Sequence, residues 1–366
     1  MSTEASRAKL TSWKLAGIYI GTVVGAGFAS GQEVLQYFGF WGGRGIWAII
    51  LATILFGFYG TIIFQLGHRW QAGSHRHLVM KSGGPIIGRL VDAVITFFLL
   101  GAFTVMAAGA GAVFREQFGL PALLGNIFMI VISVGTVLLG IEGVLSAIGF
   151  VAPILVGSVL LISFATILTT PIQWQWADPA AAAVHNWPFS AITYVSYNLV
   201  LAVAVLAPTG ALAEEKELKR GSWWGGIGLG LSILAIHLAI MTQVPEAARF
   251  EVPMLYLVRR ILGNWAPLYS IVLLAEVYTT AAGSLFGFVA RWTRDNIEPR
   301  TGGRRRTVII TLLSGLVAFA GSRLGFSPLV AKLFSAVGYA GFLLLIILTK
   351  SYFNHLFRPA AKPQDN

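Results

Sequence analysis

Long apolar runs separated by short polar stretches set the pattern of this chain. About ten such runs cover residues 13–38, 45–67, 86–114, 121–140, 145–169, 188–213, 223–243, 265–291, 306–323 and 328–349. A helix of roughly 20 apolar residues crosses the ~30 Å hydrocarbon core of a bilayer. In lipid a helix satisfies its own backbone, so the pattern predicts an all-α integral membrane protein of about ten transmembrane helices. Two connections exceed a turn, Thr170–Trp187 and Pro245–Asn264; within the second, Pro253–Leu262 is predicted as a short amphipathic surface helix. The residues after Phe357 are polar and proline-rich, which predicts a tail without fixed structure.

The first run departs from the pattern. Gly25, Gly27 and Gly31 fall near its middle, where a continuous helix carries better helix formers. Ser30 and Glu33 then form Ser-x-x-Glu, the capping box of a helix that starts afresh. The run therefore predicts two half-helices, Trp13 to Val24 and Gly31 to Phe38, parted near the bilayer midplane. Backbone opened at that depth must be buried in protein or line a polar cavity, and broken helices of this kind build the sites of secondary transporters. A second reading stays open, because Gly17, Gly21 and Gly25 also have the spacing of a small-residue helix-packing face.

Ten spans divide into five plus five. With an odd number per half, the second half enters the membrane from the opposite side, which makes an inverted repeat. The expected organisation is a single transmembrane domain over residues 1–366, with repeat one at about 13–169, repeat two at about 188–349, and a cytoplasmic tail at 350–366. Span six is then expected to be broken like span one. Ser196, Tyr197 and Asn198 form a polar triplet at the matching depth, although the same side chains also suit bonding to neighbouring helices.

Composition supports the membrane reading: 56% of residues are hydrophobic and 11% charged, against about 25% charged in soluble domains. The net charge of +11 does not imply nucleic acid, because it alternates between loops. With the N-terminus inside, every Lys and Arg except Arg44, Arg115, Arg249, Arg259, Arg260, Arg323 and Lys332 falls on the cytoplasmic side. A multi-pass protein of the cell (inner) membrane with both termini cytoplasmic is expected. The absence of cysteine excludes disulfides, thiolate metal sites and cysteine nucleophiles. No HExxH or Gly-x-Ser-x-Gly motif suggests an enzyme; the competing class is a membrane sensor or accessory protein on a transporter scaffold.

The break carries the candidate chemistry. N–H groups at Phe28–Gly31 suit a solute carboxylate, and carbonyls left open around Gly21 to Gly25 suit a cation or an ammonium group. The expected solute site is Gly25, Ala26, Gly27, Phe28 and Ala29, with Ser196, Tyr197 and Asn198 opposite. Glu33 reads either as the capping-box acid or as an ionisable site within the membrane. In span eight, Glu276, Thr279, Thr280 and Gly283/Ser284 share one helix face. The expected cation site is therefore Gly21, Val24, Glu276, Thr279 and Thr280, an oxygen set that suits a hard monovalent ion. The threonine hydroxyls also suit bonding back to their own helix. His237 and Lys332 are expected to pack and to reach outward, respectively, and Asp92 to pair with basic loop residues.

Gly21-Thr-Val-Val-Gly-Ala-Gly-Phe resembles the Gly-Asn-Ala-Val-Gly-x-Gly-Asn pattern in the broken first helix of LeuT-type neurotransmitter:sodium symporters. The longer string Gly25-Ala-Gly-Phe-Ala-Ser-Gly-Gln-Glu33 resembles the bacterial YkvI-type membrane proteins, grouped as amino-acid permeases of the amino acid–polyamine–organocation superfamily. The second likeness covers the whole chain; the first covers the break and part of span eight. Together they imply a LeuT-like 5 + 5 inverted repeat with spans one and six broken, alternating access and a small amine-containing solute. Thr279 and Thr280 lie where LeuT-type proteins have a Thr-Ser pair that binds sodium. Thr22 and Phe28 stand where those proteins have Asn, so the pattern of one of their two sodium sites is not matched. In proton-coupled members of the superfamily a lysine on span five can take the cation position, and Leu145–Thr169 has no Lys, Arg or His. Sodium-coupled symport of an amino acid or similar solute is expected, with Glu276 as proton carrier in the alternative. No cofactor beyond the coupling ion is expected; the lipid bilayer and the solute are the partners, with oligomeric state and solute identity open.

Overall fold

The computed structural model describes residues 10–139, 142–293 and 302–356, and among these there is no strand. The first span is α1 (Ser12–Val23), one turn α2 (Ala26–Ala29) and α3 (Gln32–Tyr37). Then follow α4 (Gly45–Trp70), α5 (His75–Phe118), α6 (Ala122–Leu139), α7 (Glu142–Thr169), α8 (Trp187–Leu212) and α9 (Glu215–Met241). The chain ends with α10 (Pro253–Leu262), α11 (Ala266–Thr293), α12 (Gly302–Ser322), α13 (Phe326–Leu329) and α14 (Ser335–Leu356). Among the described residues eight helices are long and apolar enough to cross a membrane. The broken first span and α7, apolar over Ile154–Thr169, complete the expected set.

The helices form two packed groups. In one, α4 lies against α8 and α9, and α1 against α9 and α8; in the other, α5 packs on α11 and α6, and α12 on α5 and α6. Exchanging the first five spans for the second five maps each group onto itself. The same exchange relates the two flanking contacts, α7 on α11 and α14 on α5. These exchanged pairs are what a five-plus-five repeat produces, although α14 also lies against α8 without, among the described residues, a matching packing of α7 on α1.

Local sequence explains most of the ends. Helix α10 begins on Pro253, whose fixed φ and missing N–H suit the first helical position. Ser74 caps α5 by accepting from the His77 N–H at 3.3 Å. Helix α5 starts earlier than the apolar run, because Gly84 at φ +71° kinks it ahead of Pro85 and joins a short polar helix to the span. Helix α14 runs past the expected end at Thr349 to Leu356. The Arg294–Arg306 loop lies mostly outside the described residues, as does the tail beyond Leu356.

One expectation is corrected. Helix α8 is continuous from Trp187 to Leu212, so span six is not broken at Ser196–Asn198. No glycine or proline opens the backbone there, and the polar side chains find partners without it. Ser196 Oγ donates to the Gly338 carbonyl of α14 at 2.7 Å, and Asn198 Nδ2 to the Tyr194 carbonyl one turn back at 2.9 Å.

Candidate functional site

The first span opens at Val24 and Gly25, both in extended conformation. The last α1 bond is Val24 N–H to the Ile20 carbonyl, 2.8 Å. Among the described residues no backbone N–H donates to the carbonyls of Gly21, Thr22, Val23 or Val24. Of the acceptors expected open around Gly21 to Gly25, these four are; the Gly25 carbonyl is not, since it accepts from the Ala29 N–H at 3.0 Å. The expected donors shift. The N–H groups of Ala29, Ser30 and Gly31 are spent on the carbonyls of Gly25, Ala26 and Phe28, which leaves those of Ala26, Gly27 and Phe28 without a backbone acceptor among the described residues.

The capping box does not form. Gly31, at φ +79°, occupies the N-cap of α3, a left-handed conformation that favours glycine. Ser30 Oγ accepts weakly from Gln32 N–H at 3.2 Å and donates to the Gly27 carbonyl at 2.7 Å. Glu33 does not return to the Ser30 N–H. Its carboxyl instead lies against Gly27, where a methyl would collide with Oε1. Glu33 Oε2 accepts from the Tyr197 hydroxyl of α8 at 2.5 Å. Of the polar triplet, Tyr197 alone is brought to the break; Ser196 and Asn198 are spent elsewhere.

Two further contacts hold the opened segment. Tyr269 of α11 donates to the Ala29 carbonyl at 2.8 Å, and the Met254 N–H of α10 to the Ser30 carbonyl at 3.0 Å. Sequence reasoning did not single out Tyr269, because nothing local links it to a segment 240 residues away. Around Glu33 stand Tyr37, Tyr194 and Tyr197, with pairwise ring separations of 5.4–5.6 Å. The Tyr194 hydroxyl is buried without a hydrogen-bond partner.

The cation candidates divide. Thr280 Oγ1 faces Gly25 across the break, 3.8 Å from where a Cβ would stand. Thr279 Oγ1 donates to the Glu276 carbonyl at 3.0 Å, the back-bonded alternative. Glu276 is 4% exposed and its Oε2 has no hydrogen-bond partner. Among the described residues neither Glu33 nor Glu276 is paired with a Lys, Arg or His. Gly21 is exposed, and a methyl placed on Gly17 or Gly21 would meet no atom within 4 Å, so the small-residue face carries no helix packing there.

The two ends differ. At the end where α3 finishes, Gln32 and Gln36 donate to Ser327 Oγ at 2.6 and 3.1 Å, and the Asp178 N–H donates to the Phe40 carbonyl at 2.9 Å, tying the segment between α7 and α8 to the turn after α3. At the end where α1 starts, a cavity of about 540 Å³ is lined by Ile95, Leu201, Ala204, Gly283 and Phe286. Its rim holds Asp92, paired with Arg291 of α11 and with His75 Nε2 at 3.4 Å. Asp92 thus pairs as expected, although one partner comes from a distant helix. His237 is wholly buried against Gly45 and Lys332 is exposed.

Comparison with known proteins bears on the fold. No family model matches the chain. The uncharacterized membrane protein YkvI of Bacillus subtilis (strain 168) is 28% identical over 338 residues, covering 91% of this chain and 94% of YkvI. The uncharacterized protein YyaD of the same organism is 29% identical over 344 residues, covering 92% and 95%. A Na+-coupled sialic acid symporter in a substrate-bound outward-open state superposes with a TM-score of 0.63 at 14% identity, covering 92% of this chain and 78% of that one. MhsT in complex with L-phenylalanine gives 0.62 at 15% identity, covering 95% and 92%. A mutant form of the manganese transporter of Eremococcus coleocola gives 0.55 at 13%, covering 100% and 92%.

The fold is LeuT-like. These structural neighbours are transporters rather than enzymes, and this chain is a membrane protein built on their architecture. At such identities the likeness extends to the fold and not to the residues that hold solute or ion.

Proposed function

We propose that this protein is a secondary active transporter that moves a small amine-containing solute, such as an amino acid, by alternating access in symport with sodium. One observation carries the reading: a backbone break inside the first span, with open carbonyls at Gly21–Val24 and Thr280 of α11 facing Gly25. Open carbonyls at such a break suit a cation, and the hydroxyl opposite adds a hard oxygen. The ends support it, since hydrogen bonds tie α3 to α13 at one end and a cavity between α5, α8 and α11 opens at the other. By the charge pattern, that cavity faces the cytoplasm.

Burial of Glu276 with an unpartnered oxygen favours one alternative, proton coupling through that carboxyl. Solute counterflow in proteoliposomes, driven first by a sodium gradient and then by a pH gradient, tests both. Exchange of labelled solute is expected of a carrier; a sensor or accessory protein on this scaffold gives none. Uptake that ignores sodium and follows the pH gradient replaces the sodium reading with the proton reading.

A further inference from the structure

Glu33 and its surroundings bear on a point the transport reading leaves open: which part of a solute the break receives. A substrate carboxylate is the usual partner for backbone N–H groups at a helix restart. Here a protein carboxyl lies beside the restart, against Gly27. Glu33 Oε1 rests against Gly27, the residue without a side chain at the centre of the opened segment. Its second oxygen takes the Tyr197 hydroxyl. Glu33 is 6% exposed, and among the described residues no Lys, Arg or His forms an ion pair with it. Held as a carboxylate in so dry a place, Glu33 needs a counter-charge, and among the described residues no ion pair supplies one.

The groups facing Glu33 match a cation. Tyr37 of α3 and Tyr194 and Tyr197 of α8 surround it, joined by Phe98 of α5 and Phe334 near α14 at ring separations of 6.1 and 5.0 Å from Tyr197. Aromatic faces attract an ammonium group and its alkyl substituents, most strongly where water is excluded. The unpartnered Tyr194 hydroxyl offers an acceptor within the same cluster. A second carboxylate brought to Gly27 by a zwitterion meets Glu33 in a medium of low dielectric constant, where like charges repel strongly.

From this juxtaposition, and resting on the transport reading, we infer that Glu33 is the anionic half of the solute site and that the preferred solute is an organic amine without a carboxylate. Glu33 receives the ammonium group, Tyr197 orients the carboxyl by its hydrogen bond, and the tyrosine rings enclose the substituents. Glu276 lies on a different helix and is left for the coupling ion.

The test uses the full-length protein in lipid nanodiscs with matched probes: phenethylamine, phenylalanine and hydrocinnamate; isoamylamine, leucine and isocaproate; and choline. Binding is measured by calorimetry, and carrier activity by exchange in proteoliposomes. At least one amine is expected to bind tenfold or more tightly than its matched amino acid, with the matched acid inert. Glu33→Gln is expected to lower amine affinity at least tenfold while the ligand-free melting temperature stays level or rises. Tyr197→Phe, which keeps the ring and the fold, is expected to weaken the amine severalfold and to preserve its advantage over the amino acid. Amino acids that bind more tightly than their amines, or an amine affinity untouched by Glu33→Gln, overturn the inference while the transport reading stands. Exchange of some other solute with no probe bound does the same. No exchange of any solute across a broad metabolite screen overturns the transport reading itself.

Discussion

The Tyr197 hydroxyl donates to Oε2 of Glu33 at 2.5 Å, across 164 residues of sequence. It ties the restart of the first span to the middle of α8, and both groups are buried. A hydrogen bond to a charged group contributes about 1.5–3 kcal/mol. Tyr197→Phe removes that bond and keeps the ring, so it is expected to destabilise the protein by roughly that amount. Unfolding in detergent or lipid measures it; a loss below about 0.5 kcal/mol means the pair contributes nothing net.

Gly27 and Gly17 make a contrasting pair. A methyl at Gly27 collides with Glu33 Oε1, whereas one at Gly17 meets nothing within 4 Å. Gly27→Ala is expected to lower stability and abolish solute binding, while Gly17→Ala stays near wild type. Because the collision is with one side chain, Glu33→Ala should recover part of the lost stability. A double-mutant cycle reads that coupling, expected at about 1 kcal/mol or more for atoms in direct contact. Additive effects would show that the backbone, not the carboxyl, limits this position.

For the ion, the structure separates two adjacent threonines. Thr280 faces the break and Thr279 bonds back to Glu276. Thr280→Ala is expected to weaken sodium dependence of uptake by about 1–2 kcal/mol, the cost of one polar partner, and Thr279→Ala by clearly less. Glu276→Gln should lower cation affinity without changing which cation drives uptake. If Glu276→Gln instead abolishes a pH-driven uptake indifferent to sodium, the coupling ion is the proton.

Access to the break is expected from one end only. The chain has no cysteine, so single-cysteine reporters need no background removal. Gly283→Cys lines the cavity at the α1 end, and Gln36→Cys lies in the buried seal at the other. A membrane-impermeant maleimide should label the first from the cytoplasmic side in inverted vesicles and leave the second unlabelled without solute. The reverse pattern would invert either the topology or the state of the site.

Disruption of the Asp92–Arg291 pair should widen that access. Asp92 is 3% exposed, and Arg291 joins α11 to α5 at the cavity rim. Removing one partner leaves the other poorly compensated, so Arg291→Met is expected to cost stability and to speed labelling of Gly283→Cys. Unchanged labelling would assign the pair a purely structural role.

Much of the architecture was legible in the sequence because its causes are local. Apolar length makes a span, and alternating basic loops predict an orientation. Pro253 starts α10 and the residues up to Leu262 carry its apolar face, so even its bounds could be read. The break in the first span was visible because a run of glycines with little helix propensity lies where side chains would otherwise hold a helix. Tertiary structure decided where the side chains found partners. Ser-x-x-Glu describes a local capping option, but Gly31 took the cap in a left-handed turn and Glu33 turned to Gly27 and Tyr197. Ser196 and Asn198 looked like a second break, yet Gly338 and Tyr194 satisfied them and α8 stayed whole. Backbone propensity is set within a few residues, whereas the partner of a buried polar group is set by whichever helix packing brings near. In a bilayer, where water cannot serve as that partner, the choice belongs to the fold.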